Sequence, residues 1–222
     1  MAEGVGHPKG KIEQMAAPFI TNGSVVVDVG ANIGRFATWA AKIVGESGRV
    51  LAIEPDPRCH ALGLDQLLAT YPQVMVCSGA MGSGETADKA TLYLSAATAE
   101  STLLRDALPD ADRKRPTEVL VDLSYLDAFQ MAGAALVKID AQGMDHAVLQ
   151  GARRLLQVCN AWIVECWPKG LTAAGSSPHA LWQELANAGL TVCFADGLVI
   201  TEDTLAQWLQ TDQVFVNWLA TR

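Results

Sequence analysis

Short apolar runs alternate with stretches of helical periodicity along most of this chain. Three valines at 25–27 lead into Asp28 and a glycine-rich turn, after which Phe36, Trp39, Ala40 and Ile43 recur at helical spacing over residues 36–44. Gly45 and Gly48 end that helix. Residues 49–54 form the next apolar strand, stopped by Pro55 and Pro57. A helix is predicted over 57–70, with Pro57 suited to its first turn, and a strand over 74–77. Weaker strand patterns occupy 91–94 and 119–121. Residues 136–140 form a strand that runs at once into a helix predicted over 143–158, where Val148, Leu149, Ala152, Leu155 and Leu156 make one apolar face. A strand at 161–165, a helix at 178–188 and strands at 191–194 and 214–218 complete the pattern.

Strands that are apolar throughout and alternate with helices indicate a mostly parallel, doubly wound sheet covered on both faces. The last two strands lie closer together and are expected to pair antiparallel at one edge. The fold class is therefore α/β, with one domain over 1–222 and an N-terminal extension over 1–22. No repeat or long linker interrupts it. The polar segment 97–117 has the least pattern and reads either as an active-site cover or as a variable surface excursion.

Composition narrows the function classes. Half of the 222 residues are hydrophobic, yet no apolar run approaches the roughly 20 residues that cross a bilayer. Residues 1–10 show no apolar secretory segment, so a cytoplasmic location and no membrane partner are expected. Sixteen Lys and Arg against 24 Asp and Glu give a formal charge of −8, which argues against nucleic acid as a partner. The short basic cluster Arg113-Lys114-Arg115 does not alter that balance. The five cysteines are odd in number and form no C-x-x-C pair, so neither a disulfide framework nor a zinc site is expected.

The chemistry concentrates at Asp28-Val29-Gly30-Ala31-Asn32-Ile33-Gly34, where the first strand passes into the first helix. In a doubly wound sheet, ligands bind at the carboxyl ends of the strands where the strand order reverses. Gly30 and Gly34 allow a sharp turn and close approach of backbone to ligand. Glu54, twenty residues beyond Gly34, ends the second strand, where a carboxylate can accept from both hydroxyls of a ribose. A dinucleotide site reads G-x-G-x-x-G, with pyrophosphate pressed on the second glycine. Here that position is Asn32, and Asp28 adds an acid that suits a cation better than a pyrophosphate. S-adenosylmethionine, phosphate-free and carrying a sulfonium, fits this loop better than NAD.

Val27 to Gly34, the segment Ala52-Ile53-Glu54-Pro55-Asp56-Pro57, and Val137-Lys138-Ile139-Asp140-Ala141-Gln142-Gly143-Met144-Asp145 with Val148-Leu149-Gln150-Gly151-Ala152 together resemble the FkbM-type methyltransferases. The resemblance spans residues 24–165. It implies a class I methyltransferase (Rossmann-like) fold and methylation of a hydroxyl on a secondary metabolite or sugar. The family more often carries glutamate at the positions of Gln142 and Asp145 and alanine at that of Met144.

Methyl transfer to an alcohol needs a collinear arrangement, exclusion of water and a base for the hydroxyl proton. Asp140, ending the fourth core strand, is the first candidate for that base, with capping of the next helix as its structural alternative. Glu165 ends the neighbouring strand and is the second catalytic candidate. Two such carboxylates could also hold a hard cation, but without a clear third ligand no metal set is assigned. Asp28, Gly30, Asn32, Gly34 and Glu54 are assigned to the donor, with Ser78, Gly79 and Ala80 beside the adenine. Ser101, Gln142 and His146 are assigned to the acceptor, a small hydroxylated molecule. His179 reads as part of a helix start, and His7 and His60 have no usable context. A nucleotide-dependent oxidoreductase and a catalytically silent nucleoside-binding domain remain the alternatives, and a homodimer is compatible with the exposed strand edges.

Overall fold

A computed structural model describes residues 11–84 and 88–222; His7 and the first ten residues of the expected N-terminal extension lie outside that range. Seven strands form the main sheet: β1 (Val25–Val29), β2 (Arg49–Ile53), β3 (Val74–Cys77), β7 (Leu136–Ile139), β8 (Ala161–Cys166), β9 (Thr191–Phe194) and β10 (Val216–Thr221). Their order is β3-β2-β1-β7-β8-β10-β9. The first five strands of that order are parallel, and β10 pairs antiparallel with both β8 and β9. Strand order reverses between β1 and β7, so the crevice of this fold opens at their carboxyl ends.

Alternation along the strands sorts the core into two layers. Val27, Val29, Leu51, Ile53, Val137 and Ile139 face one side, packing with Val148, Leu149, Leu155 and Leu181. Val26, Val50, Ala52 and Leu136 face the other, against Phe36, Ala37, Ala40, Ala41 and Val44 of α2 (Arg35–Val44). Helix α1 (Lys11–Ala16) buries Met15 and Ala16 on this second side. A small separate sheet, β4 (Ala80–Met81), β6 (Thr117–Ser124) and β5 (Lys89–Leu94) in that order, follows β3.

Three expected elements differ in detail. The helix expected over 57–70 is a wide π turn at His60–Leu64 followed by α3 (Asp65–Thr70). Gly63 lies against the main chain of Ile33, where an added Cβ would come within 2.2 Å of the carbonyl oxygen. The helix expected over 143–158 is two, α5 (Asp145–Gln150) and α6 (Arg153–Val158). They break at Gly151, which packs so tightly on the main chain of Gly82 that a Cβ would sit 2.1 Å from its carbonyl oxygen. The last strand is shifted towards the C-terminus, to Val216–Thr221 rather than 214–218, and α9 (Glu202–Trp208) separates it from β9. Periodicity could not reveal α4 (Asp110–Arg113) or α7 (Pro168–Ala173), which are too short, and it also passed over α8's short companion α9; α8 itself (Pro178–Asn187) begins as expected, with Ser177 accepting from the Ala180 N–H.

Candidate active site

A cavity lies at the strand-order reversal, where ligands bind in doubly wound sheets. Its walls come from the ends of β1 and β2, the turn after β7, β4 and β5 of the small sheet and residues 98–103. Among the described residues that line it, Glu54 and Asp140 are the charged ones, and no Lys, Arg or His joins them. Val29, Ile53, Met81, Leu92, Leu103 and Met144 supply the apolar surface.

The glycine bend is fixed by close main-chain approach. Gly30 has φ +73°, and a Cβ there would stand 1.8 Å from the carbonyl oxygen of Asp140. Only a residue without a side chain lets the ends of β1 and β7 come together in this way. Asn32 follows in the left-handed region at φ 49°, which Asn tolerates better than most residues. Its N–H donates to Glu54 Oε2 at 2.7 Å, and its Oδ1 accepts from Thr98 Oγ1 at 2.9 Å. Gly34, also left-handed, caps the start of α2 beneath Leu64 and Leu67 and does not line the cavity.

Glu54 is held by main-chain donors, accepting from the Asn32 N–H and, at 2.8 Å, from the Asp56 N–H. Burial nevertheless raises its carboxyl to about 7, against the pull of those two donors. Each carboxylate oxygen retains a lone pair beyond these bonds, enough to accept a ligand hydroxyl.

Asp28 corrects the sequence reading. Its side chain points to the α2 face, not into the cavity, and is fully buried. Lys138 Nζ donates to its Oδ1 at 2.9 Å and to the Gly30 carbonyl at 3.2 Å. Burial raises the Asp28 carboxyl and Lys138 opposes that rise. The acid of the motif therefore supports the bend through a buried ion pair rather than meeting a ligand. Lys138 was visible in the sequence, but β7 had to be placed beside β1 before its role could be read.

Asp140 does line the cavity, and Gln142 Nε2 donates to its Oδ1 at 2.9 Å. Glu165 stands behind it, off the cavity wall and almost fully buried, with Gln142 Nε2 at 3.4 Å. Burial, and then the nearby Asp140 and Asp145 carboxylates, raise the Glu165 carboxyl well above its usual range. The structural alternative for Asp140, capping of the next helix, is not realised, since no side chain caps α5; the Asp145 carboxylate holds the preceding turn, accepting from the Ala141 and Gly143 N–H groups at 2.9 and 3.1 Å.

Among the other expected residues, Gly79, Ala80, Ser101 and Gln142 line the cavity. Ser78 does not; its hydroxyl meets His60 Nε2 at 2.6 Å. His146 is turned away to Ser176 Oγ at 2.6 Å and Glu184 at 3.7 Å, and burial lowers its basicity. It therefore lies off the acceptor wall, because its position on α5 faces α8.

Of the segment 97–117, the part that meets the cavity lies within residues 98–103. Thr98, Ala99, Ser101 and Leu103 close one side of the cavity, and Thr102 forms an antiparallel bridge to Tyr93. Residues distant in sequence, which no local pattern connects, fasten this stretch. Asp56 Oδ2 accepts from Ser101 Oγ at 2.9 Å and pairs with Arg58, whose NH2 also donates to the Ser95 carbonyl at 2.8 Å. Although burial works to raise the Asp56 carboxyl, its bonds from Arg58 and Ser101 hold it below the usual range.

Comparison with known proteins agrees with this architecture. The family model of the methyltransferase FkbM domain matches residues 28–191. No functionally curated protein matches the chain. Among solved structures, methyltransferase FkbM from Methylobacillus flagellatus KT superposes with a TM-score of 0.51 at 16% identity, over 90% of this chain and 43% of that one. The chain thus spans less than half the length of that relative. Precorrin-6y C5,15-methyltransferase from Geobacter metallireducens GS-15 gives 0.53 at 11% identity, over 100% and 92% of the two chains. A TehB-like SAM-dependent methyltransferase from Corynebacterium glutamicum gives 0.52 at 10%, over 98% and 90%. At these identities the structures share the fold, while the family model covers most of the sequence. The chain belongs to the methyltransferase FkbM domain family.

Proposed function

We propose that the chain is an S-adenosylmethionine-dependent methyltransferase that methylates a hydroxyl of a small molecule, a secondary metabolite or a sugar. One observation carries the reading: the cavity at the strand-order reversal presents two separate carboxylates, Glu54 and Asp140, and no basic residue among the described residues that line it. Such a wall attracts a cationic nucleoside and disfavours a pyrophosphate.

The residues present fit that donor. Glu54 would accept ribose hydroxyls, the small Gly79 and Ala80 would leave room for a base beside the apolar Met81 and Leu92, and Gly30 would admit the amino-acid portion at the bend. When bound, S-adenosylmethionine supplies an electrophilic methyl group. Asp140 would orient the acceptor hydroxyl and receive its proton, while the bond from methyl carbon to sulfur breaks and the neutral thioether, S-adenosylhomocysteine, is the leaving group. Thr98, Ser101 and Leu103 keep water from the reacting atoms, which strengthens the electrostatic hold of both carboxylates.

The test is methyl transfer from labelled S-adenosylmethionine to a panel of alcohols, sugars and amines. Turnover of a hydroxylated acceptor that falls at least a hundredfold in Asp140→Asn at saturating donor supports the reading. Transfer to amines alone, or full activity of the variant, contradicts it.

A further inference from the structure

Gln142 touches three things at once. Its side-chain Nε2 lies 2.9 Å from Asp140 Oδ1 and 3.4 Å from Glu165 Oε2, and its main-chain carbonyl accepts from Thr102 Oγ1 of the cover at 2.9 Å. It does so from a left-handed conformation, φ 49°, that a non-glycine residue adopts only when its surroundings hold it there. On the far side of Asp140 stands the buried ammonium of Lys138, with Nζ 3.9 Å from Asp140 Oδ2. Asp140 thus meets Lys138 at one carboxylate oxygen and Gln142 at the other, and it also shares a hydrogen bond with the Glu165 carboxyl.

We propose that Gln142 is the positioning residue for Asp140, its amide keeping that carboxylate turned to the cavity and its main chain clamped by Thr102. The amide is suited to this task because it can donate to two carboxyl groups at once, whereas an ionised glutamate here would have no proton to donate and would repel the Asp140 carboxylate. Removal of the donor leaves Lys138 as the stronger partner, and Asp140 swings towards the sheet to complete an ion pair with it. The cover is coupled to the same carboxylate, since loss of the Thr102 hydroxyl frees the Gln142 main chain to relax from its strained conformation.

The proposal rests on the donor reading above and is tested by a comparison that does not require the acceptor. S-adenosylmethionine carries a positive sulfonium, and S-adenosylhomocysteine has the same skeleton with a neutral sulfur. The ratio of their dissociation constants therefore reports how much negative charge faces the cavity. By calorimetry, Gln142→Met, which keeps length and removes the donor, should weaken the sulfonium relative to the sulfide by about tenfold. Asp140→Asn should give a similar loss, and the double variant no more than either single one. Thr102→Val should move the ratio in the same direction by a smaller factor, and it serves alone should Gln142→Met fail to fold. A merely structural role would weaken both ligands equally, so an unchanged ratio in Gln142→Met, or full additivity with Asp140→Asn, overturns the proposal. If neither ligand binds the unaltered protein, it is the donor reading that has failed.

Discussion

Asp28 and Lys138 are register partners on adjacent parallel strands, and their side chains meet at 2.9 Å in a buried ion pair. Burial works against the charge of Lys138, but Asp28, Asp140 and Glu165 together hold it protonated. The same ammonium grips the Gly30 carbonyl, so the charge pair and the ligand bend form one unit. Removal of one partner strands the other charge away from water. Lys138→Met is expected to cost about 3–5 kcal/mol in urea denaturation, and the double change Asp28→Leu, Lys138→Met to recover much of it. Equal stability of the single and double variants would contradict this account.

Gly30→Ala tests the approach of β1 to β7. The added methyl would meet the Asp140 carbonyl at 1.8 Å in a conformation that already disfavours a side chain. Destabilisation of about 3 kcal/mol or more, with loss of ligand binding, is expected. A thermal midpoint near that of the unaltered protein would show that the bend opens easily.

Glu54 predicts a pH dependence. Its carboxyl stands at about 7 in the fold against 4.5 for an ordinary glutamate. The folded state therefore binds this proton more tightly, and the stability so gained is complete below 4.5 and lost as pH rises through about 7. Binding should run the other way, because the ionised carboxylate is the better partner for ribose hydroxyls. Affinity for S-adenosylhomocysteine is expected to rise severalfold from pH 6 to pH 8, and Glu54→Gln to lose both that rise and its share of the stability slope. A pH-independent affinity in the unaltered protein would contradict the assignment.

The cover depends on Arg58, which bridges Asp56 and the Ser95 carbonyl. Arg58→Met should hasten amide exchange in residues 95–103 while exchange in β1 and β7 stays slow. Since Asp56 is held below its usual range by its bonds from Arg58 and Ser101, this fastening is kept at neutral pH and released only as pH falls through the acidic range. Uniform exchange in variant and parent would mean that the cover is held by its apolar contacts alone.

Much of the fold could be read from the chain because the core strands are mostly apolar, with single charges at Asp28, Lys138 and Glu165, and each long helix carries one apolar face. The strand ends Gly30, Glu54 and Asp140 reach the cavity as their motif spacing indicated. Asp28 did not, because a strand alternates its faces and a motif gives no hint of which face the neighbouring strand fills. Breaks in helices, as at Gly151, arise from contact with Gly82, a residue far away in sequence. His146 illustrates the same limit: position on the first turn of α5 placed it near the rim, whereas packing against α8 turned it to Ser176 and Glu184. The fastening of the cover by Asp56, Arg58 and Ser101 joins residues more than forty positions apart, and no local pattern announces it.

The most direct measurement is calorimetric titration of the purified chain with S-adenosylhomocysteine and, separately, with NAD. The account predicts saturable one-to-one binding of the adenosyl ligand, weakened at least tenfold in Glu54→Ala, and no comparable binding of NAD. Binding of NAD without any of S-adenosylhomocysteine would contradict it.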